Sequence, residues 1–419
     1  SRSREPPARV MPRRDLEARR DTTRQPARKN IAILGWYGSA NAGDEAVLQS
    51  VVESLRRAGH DNLLVLSTNP ALTASSYGVA SVPRNPLNPA TLRVFLDSRA
   101  LVLGGGGLIQ DSSSVYNLPL YAFYVALARL RGLPVFGWGL GVGPLHTRLG
   151  RLLARFIFRS SRYFSVRDAE SARVLRAAGV RKDEVRVSAD PAFLIEPAEP
   201  GDVPSSKPRI VFCVRHRLHD APGLNLRYLL PVSVRHRLKL EGLPGEEEDR
   251  EFAHAVARGV RCCVEEFGAR VVLLPFWLER DDEVLREVEC EALLLGVPGT
   301  EISWAEVRHT PSDLAGYISR ADLLVSMRLH ALVFGAAAGV PGMALSYVPK
   351  MRALMERLGA RRWVVEVQTR LPPPEEIEMK LRLLWAQRHQ EGERVKRAAT
   401  RLKSRAEQDA RAIARLLDA

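Results

Sequence analysis

The sequence predicts an α/β protein with two doubly wound, Rossmann-like domains that face each other across a cleft. Short apolar segments alternate with segments of helical periodicity, and this βαβ order implies parallel sheets. At 419 residues, 46% of them hydrophobic, the chain exceeds one ordinary domain core and has apolar material for two. A Pro-rich polar stretch, 196–208, separates the halves. We therefore expect a disordered basic tail (1–30), an N-terminal domain (31–200), a C-terminal domain (201–370) and a C-terminal amphipathic helix (371–419).

The N-terminal half shows repeated strand and helix patterns. Uncharged apolar runs predict buried parallel strands, and segments with an apolar face every three to four residues predict helices. Glycine or Asp-Pro turns end several of these strands. The predicted strands are 30–34, 63–67, 100–103, 134–138, 164–166 and 185–189, and the predicted helices include 46–57 and 116–131.

The C-terminal half repeats this alternation. A polar, poorly periodic stretch, 218–250, is expected to be an insertion or mobile loop, and 275–282 an exit loop. Residues 375–419 carry one apolar stripe, which is typical of a helix that packs across a domain; membrane-surface binding is the alternative. The predicted strands are 209–214, 270–274, 323–325 and 343–347, and the predicted helices are 252–267, 311–318 and 332–338.

Three potential cations follow strands of the C-terminal half. Arg328 and His330 lie at the predicted turn before helix 332–338, and Lys350 comes just after strand 343–347. The carboxyl ends of parallel strands meet at one edge of a sheet, beside helix N-termini that attract anions. Taken alone, each residue is better explained as a solvated or salt-bridged cation or as a structural histidine. The three together favour a phosphate or carboxylate site.

The first strand of the N-terminal half ends in a glycine-containing loop. The loop matches neither the G-x-G-x-x-G fingerprint nor the lysine-bearing P-loop. It offers backbone N–H groups and the side chains of Asn41, Asp44 and Glu45, which suit a polar ligand such as a sugar. A helix cap with an acidic first turn explains the two carboxylates equally well.

A run of four glycines, 104–107, ends the predicted strand 100–103 and leads to Gln110 and Asp111. Successive glycines carry an entropic cost and let a ligand or another backbone approach closely. We therefore expect Gly105 and Gly106 to contact a ligand.

Composition narrows the class of protein. The formal net charge is +14, which suits a nucleic acid, an anionic membrane leaflet or an acidic substrate, and is equally explained by an arginine-rich genome. Aromatic residues make up only 6% and form no basic and aromatic stripe, which speaks against nucleic acid. Residues 1–30 lack a signal-peptide core, and no uninterrupted apolar segment predicts a membrane span. Four cysteines without metal-ligand spacing indicate a reduced, cytoplasmic protein: Cys213, Cys262, Cys263 and Cys290.

Five motifs occur in order between about Ile31 and Gly359. Together they resemble the polysaccharide pyruvyl transferase family, whose architecture is of the GT-B type. Within it the chain is most similar to the bacterial cell-wall branch, which ketalates N-acetylmannosamine on lipid-linked polymer precursors that later anchor S-layer proteins. The motifs are Asn41-Ala-Gly-Asp-Glu45, Gly104-Gly-Gly-Gly-Leu-Ile-Gln-Asp111, Ser165-Val-Arg-Asp168, Ala189-Asp-Pro-Ala192 and Ser326-Met-Arg-Leu-His330.

The resemblance implies a reaction and a set of roles. Pyruvate passes from phosphoenolpyruvate to two hydroxyls of one sugar as a ketal, and phosphate is released. His330 matches the proposed acid, and histidine side chains are suited to proton donation near neutral pH. The N-terminal domain is expected to hold the acceptor through the loop residues named above. The expected donor contacts are Arg328, Lys350, Arg167, Leu329 and Arg215.

The expected partners follow from the same resemblance. They are phosphoenolpyruvate, a lipid-linked saccharide and, through charge, the inner face of the cell membrane, with no metal, cofactor or nucleic acid and with self-association left open. Two rivals remain. A GT-B glycosyltransferase with a sugar-nucleotide donor would need a carboxylate to hold the ribose, which the sequence does not show. A non-enzymatic basic surface protein would leave the glycine-rich turns unexplained.

Overall fold

Two wholly parallel sheets form the core of the protein, one in each half of the chain. The computed structural model describes residues 29–111, 116–199, 206–216, 246–306, 310–368 and 371–419. Helices separate successive strands, so both faces of each sheet are covered and the central strands are continuously apolar. The structure confirms the predicted pair of Rossmann-like domains.

The N-terminal sheet has seven strands in the order β3-β2-β1-β4-β5-β6-β7. The order reverses between β1 and β4, and a ligand crevice opens outside the carboxyl ends of the strands at such a switch point. The strands are β1 (Asn30–Leu34), β2 (Leu63–Ser67), β3 (Ala80–Pro83), β4 (Ser98–Gly104), β5 (Val135–Leu140), β6 (Tyr163–Val166) and β7 (Arg186–Val187). The helices are α1 (Ala42–Arg57), α2 (Pro70–Tyr77), α3 (Pro89–Asp97), α4 (Asn117–Leu130), α5 (Arg148–Ser160) and α6 (Ala169–Ala177).

The C-terminal sheet has six strands in the order β10-β9-β8-β11-β12-β13, with its reversal between β8 and β11. The strands are β8 (Arg209–Cys213), β9 (Arg270–Leu273), β10 (Ile302–Trp304), β11 (Leu323–Ser326), β12 (Gly342–Ser346) and β13 (Val364–Glu366). The helices are α7 (Glu246–Phe267), α8 (Leu278–Leu294), α9 (Pro311–Ile318), α10 (Leu329–Ala338), α11 (Pro349–Arg357), α12 (Pro374–Ala386) and α13 (Arg388–Asp418).

Some boundaries differ from the sequence predictions. Strand β3 and helices α2 and α3 were not predicted, because their stretch is short, polar and rich in proline. The predicted exit loop 275–282 is wrong from Leu278 onward, where α8 begins. Asp281 allows this early start, because its carboxylate accepts hydrogen bonds from the backbone N–H groups of Phe276 and Trp277, 3.0 and 2.9 Å away. No local sequence pattern indicates that contact.

Helix α13 joins the two domains. In the C-terminal domain, Glu391 accepts a hydrogen bond from the Trp363 indole at 2.9 Å. In the N-terminal domain, Asp409 accepts from the hydroxyls of Tyr163 and Ser165, 2.6 and 2.5 Å away. The apolar stripe of the helix is buried against protein rather than open to a membrane. Its buried members include Val395, Ala399, Leu402, Ala406, Ile413 and Leu417.

The basic tail lies almost wholly outside the described residues, as does most of the predicted insertion 218–250. Within the described ranges, no helix combines the length and apolar character needed to cross a bilayer.

Candidate functional site

The candidate site lies where the carboxyl edges of the two sheets meet. Helix α1 of the N-terminal domain contacts α9 and α10 of the C-terminal domain. The Gln49 side-chain amide donates to the Ser312 hydroxyl across this contact at 2.7 Å. The loops after β1, β4 and β6 therefore face those after β8, β11 and β12.

His330 lies in the first turn of α10 and packs against Gly43 in the first turn of α1. A Cβ atom on Gly43 would lie 2.2 Å from His330 Nδ1, so only glycine permits this approach. His330 Nε2 is 3.6 Å from Asp190 Oδ2, which is beyond hydrogen-bond length. This nitrogen has no hydrogen-bond partner among the described residues, and its side chain is 12% exposed. The imidazole is thus held by packing, and its buried Nε2 faces Asp190 with its hydrogen-bonding capacity unused.

Asp190 links His330 to Arg167. Its Oδ2 atom is 3.3 Å from Arg167 Nη1, and its Oδ1 accepts from the Ala192 backbone N–H at 3.1 Å. Burial opposes ionisation of Asp190, but His330 and Arg167 outweigh it and hold the carboxyl pKa below its ordinary value. Burial also disfavours the charged Arg167, yet Asp168 and Asp190 raise its pKa. Asp190 belongs to the motif Ala189-Asp-Pro-Ala192, but the sequence alone predicted no role for it.

Arg328 is the N-cap residue of α10, and its side chain is paired with the carboxylate of Asp281. Its Nε atom donates to Asp281 Oδ2 at 3.0 Å, and Nη2 donates to Asp281 Oδ1. Asp281 is fully buried, so this is a bidentate interior ion pair. The guanidinium keeps unused donors, but much of its charge is already compensated. Removing Arg328 would leave a buried carboxylate unpaired, so its loss is expected to destabilise the fold as well as the site.

Lys350 and Arg215 surround Tyr347 at the ends of β12 and β8. Arg215 Nη1 donates to the Tyr347 hydroxyl at 3.2 Å, and its guanidinium carbon lies 4.9 Å from the ring centroid. Burial opposes ionisation of this phenol, but Arg215, Lys350 and Arg328 outweigh it and lower its pKa to about 8. The positive potential here is therefore strong.

Lys350 remains exposed to solvent in the cleft, although protein surrounds it closely. The limited hydration lowers the pKa of its ammonium group, and Arg167 and Arg215 lower it further, against the opposing effects of Tyr347 and Asp44. Lys350 makes no ion pair within the described ranges, so its charge is available to an anion.

Two helix N-termini point into this region without side-chain caps. The N-cap residues, Arg328 for α10 and Val348 for α11, make no side-chain hydrogen bond to the first turn. The first N–H groups of a helix lack intrahelical partners and carry partial positive charge, which favours anions.

The three polar residues that follow β1, Asn41, Asp44 and Glu45, have different hydrogen-bond partners. Asn41 caps α1, accepting from the Gly43 N–H at 3.2 Å, and its amide donates to Asp44 Oδ2 at 2.7 Å. Glu45 accepts from the Gly38 N–H at 2.8 Å and from the Tyr77 hydroxyl, at the end of α2, at 3.0 Å, so both its oxygens are already hydrogen-bonded. Burial raises the pKa of Glu45 to about 6. Only Asp44 is directed towards the cleft cations.

Burial raises the pKa of Asp44, while His330, Lys350 and Arg167 oppose that rise. Asp44 Oδ1 would lie 3.1 Å from a Cβ atom on Gly106. Gly105 and Gly106 have φ angles of +48° and +74°, in the left-handed region that favours glycine. The glycine run therefore passes tightly over α1 and frames Asp44.

Gln110 and Asp111 lie further along the same loop. Asp111 accepts from the backbone N–H groups of His146 and Thr147 at 2.8 and 2.9 Å and from the Thr147 hydroxyl at 2.7 Å. Gln110 packs against Gly143. These contacts tie the acceptor-side loop to the start of α5, so the structure does not bring Asp111 to the cations of the cleft.

A narrow pocket collects several of the expected donor residues. It brings together Arg167, Asp190, Leu329, Lys350 and Arg357. Arg357 of α11 donates hydrogen bonds to the Arg167 carbonyl and, at 2.5 Å, to the Ser188 carbonyl, so it connects the two domains.

The sequence did not predict roles for Arg357, Asp281 and Tyr347, because these roles depend on contacts between distant segments. No metal-binding group of His, Cys, Asp or Glu occurs in the described part of the chain.

Substituting Gly43 with alanine tests the contact between α1 and His330. Alanine favours a helix over glycine by about 1 kcal/mol, whereas the clash with His330 costs about 1–3 kcal/mol, so we expect a level or slightly lower thermal stability. The new methyl group would displace His330, and we expect kcat to fall at least about tenfold. Gly299→Ala is the control, since the nearest atom to its Cβ is 3.6 Å away. Equal activity of Gly43→Ala and the parent would show that the position of His330 is unimportant.

Sequence comparisons show which known proteins the chain resembles. The family model described as polysaccharide pyruvyl transferase matches residues 41–348. The chain is 24% identical over 394 residues to the amylovoran biosynthesis protein AmsJ of Erwinia amylovora, covering 81% of this chain and 88% of that protein.

Solved structures share the fold at low identity. The protein described as a putative UDP-N-acetylglucosamine 2-epimerase from Listeria monocytogenes is 12% identical with a TM-score of 0.58, covering 92% of this chain and 95% of its own. Anabaena HepE in complex with UDP-glucose is 13% identical with a TM-score of 0.56, covering 93% and 99%. A glycosyltransferase from Rickettsia africae is 9% identical with a TM-score of 0.58, covering 93% and 99%. The architecture is thus GT-B-like. Because the family match spans well over half of the chain, including the loops that carry Asp44, Arg167 and His330, this protein belongs to the polysaccharide pyruvyl transferase family.

Proposed function

We propose that this protein transfers pyruvate from phosphoenolpyruvate to two hydroxyls of one sugar, forming a ketal and releasing phosphate. The main support is the position of His330 in the first turn of α10, where Asp190 lies between it and Arg167. Arg167, Asp190 and Lys350 line one narrow pocket, so a potential acid lies beside a group of anion-binding side chains.

The donor is a small, highly charged anion, and the cleft has the matching charge. Lys350 and Arg215 lie on the C-terminal side and Arg167 on the N-terminal side. Arginine grips carboxylate and phosphate through paired N–H groups, whereas lysine acts as a point charge. The lowered pKa of Tyr347, about 8 despite burial, is a further sign of positive potential. We assign the donor to these cations and to the first N–H groups of α10 and α11.

His330 is the proposed acid. It donates a proton to the methylene carbon of phosphoenolpyruvate, which becomes a methyl group and leaves a cationic centre at C2. Asp190 remains ionised beside the ring and stabilises the protonated imidazole that starts the reaction. Asp190 is therefore a positioning residue.

Asp44 is the proposed base. One sugar hydroxyl attacks C2 and gives its proton to Asp44, forming the first C–O bond while phosphate is still attached. The second hydroxyl then attacks the same carbon as the bond to phosphate breaks, and its proton leaves with phosphate or to solvent. Burial raises the pKa of Asp44, which makes the carboxylate a better proton acceptor.

The proposed acceptor is N-acetylmannosamine of a lipid-linked cell-wall polysaccharide precursor, with the protein held peripherally at the inner face of the membrane. The named role of AmsJ in amylovoran biosynthesis supports a polysaccharide context.

The alternative hypothesis, a glycosyltransferase with a sugar-nucleotide donor, is not favoured by the position of Asp281. This carboxylate near the carboxyl end of β9 is fully buried and paired with Arg328, so it is not placed to hold a ribose.

Direct binding tests the donor. We expect titration calorimetry to detect phosphoenolpyruvate binding by the parent protein, weaker binding by Lys350→Ala, and parent-like binding by Lys396→Ala, which alters a lysine of α13 at the C-terminal end of α10. UDP-glucose and UDP-N-acetylglucosamine should not compete. Tight binding of a UDP-sugar without binding of phosphoenolpyruvate would overturn the proposal.

The lowered pKa of Lys350 predicts a pH dependence of donor affinity. Donor binding requires the protonated ammonium, so the KM for phosphoenolpyruvate should rise as pH increases through the Lys350 pKa, below the range of an ordinary lysine. Lys350→Arg keeps a permanent charge and should hold KM level to higher pH. The same rise in KM for both proteins would remove Lys350 as its cause.

A further inference from the structure

Helices α4 and α5 lie side by side on the N-terminal domain, and the charged residues of both helices are all positive. Between Asp111 and Asp168 the sequence contains eight arginines and no acidic residue. Four of these arginines, at 148, 151, 155 and 159, follow α5 at helical spacing. None of the four makes an ion pair with a residue that the structure describes. The surface is therefore positively charged without internal compensation.

The same surface exposes large apolar side chains. On α5, Leu149 and Leu152 are 58% and 59% exposed, and on α4, Phe123 and Leu130 are 44% and 84% exposed. The two helices pack side by side, and half-buried leucines at positions 120 and 127 of α4 lie at helical spacing with Phe123 and Leu130. Exposed apolar side chains flanked by arginines on two adjacent helices are typical of an interaction surface.

We infer that this α4–α5 surface docks on an anionic lipid bilayer. Arginines pair with negatively charged headgroups while neighbouring leucine and phenylalanine side chains enter the interfacial layer. A second copy of the chain using the same surface would place arginines against arginines, which disfavours that partner. The buried stripe of α13 leaves that helix unsuited to the task.

The position of the surface fits the chemistry of the cleft. Asp111, at the end of the glycine-run loop, is hydrogen-bonded to Thr147 at the start of α5. Docking through α5 therefore places the acceptor-side loop close to the bilayer. The inference does not depend on pyruvyl transfer, because membrane binding is measured without any substrate.

Flotation with vesicles tests the inference on the full chain. We expect the parent to bind phosphatidylglycerol-containing vesicles and not pure phosphatidylcholine vesicles, and high salt to weaken binding. The double substitution Leu149→Glu with Leu152→Glu should reduce the bound fraction roughly tenfold or more, because it removes apolar contact and adds repulsion. The matched control, Leu293→Glu with Leu294→Glu on α8, alters leucines that are 46% and 75% exposed and should bind like the parent.

Three outcomes would overturn the inference. They are parent-like binding by the α5 variant, an equal loss in the α8 control, and a parent dimer in light scattering that the α5 variant alone abolishes while vesicles remain unbound. Thermal unfolding checks that each variant is folded. If the glutamate variant is unfolded, Arg148→Gln with Arg155→Gln replaces it, with the same expected loss of binding to anionic vesicles.

Discussion

Replacing His330 with glutamine is expected to lower kcat by roughly 10²- to 10⁴-fold, the usual effect of losing a general acid. Glutamine keeps hydrogen-bonding capacity but has no titratable proton, so donor binding should weaken much less than turnover. Steady-state kinetics with phosphoenolpyruvate as the varied substrate separates the two effects. Glutamine has no β-branch and fits the first turn of α10, so the fold should be retained.

The control for this substitution is another histidine that bears a carboxylate partner. His216 lies between Asp249 and Glu283, with nitrogen–oxygen distances of 3.4 Å to each, and interaction with the Asp249 carboxylate raises its pKa. His216→Gln should retain kcat within a few-fold. If His330→Gln is folded and nearly as active as the parent while His216→Gln is not, the acid is His216 and our assignment is wrong.

Replacing Asp44 with asparagine is expected to lower kcat by a comparable factor, roughly 10²- to 10⁴-fold, because the acceptor hydroxyl loses its base. The parent rate should fall as pH drops through the Asp44 pKa, since only the ionised carboxylate accepts a proton. That pKa is raised, so this limb should lie above the range of an ordinary aspartate. In Asp44→Asn the limb should disappear from the pH–rate profile.

Glu45→Gln provides a neighbouring control on the same helix turn. The oxygens of Glu45 accept from Gly38 and Tyr77, so this change should alter loop stability more than kcat. A larger loss of kcat in Glu45→Gln than in Asp44→Asn would contradict the assignment of Asp44 as the base.

The fold was largely predictable because buried parallel strands are apolar along their whole length. Strands such as β1 and β11 are short uncharged runs followed by turns, and the two halves repeat this pattern on either side of a polar linker. Strand β3 is short, half-exposed and ends in proline, so it has no such signal. Helix α10 begins at Leu329 rather than at the predicted position 332. The Ser326 hydroxyl accepts a hydrogen bond from the Arg328 N–H at 2.8 Å, which fixes the backbone just before the first turn.

The candidate site was predictable only residue by residue. Strand-end position was enough to select His330 and Lys350, and the family resemblance added Arg167. It could not show that Arg328 is paired with a buried carboxylate eight residues beyond β9, nor that the oxygens of Glu45 and Asp111 accept hydrogen bonds from other segments of the N-terminal domain. Such distinctions depend on which partner a side chain meets after folding, and that partner is often distant in sequence.

Following both products of the reaction in deuterated water tests the proposed pyruvyl transfer most directly. The parent protein is incubated with phosphoenolpyruvate and a lipid-linked N-acetylmannosamine acceptor, with UDP-sugars present as competing donors. We predict equimolar release of phosphate and formation of a pyruvate ketal whose methyl group carries one solvent-derived deuteron. An acceptor that instead gains a sugar residue, with release of UDP and no phosphate, would contradict the account.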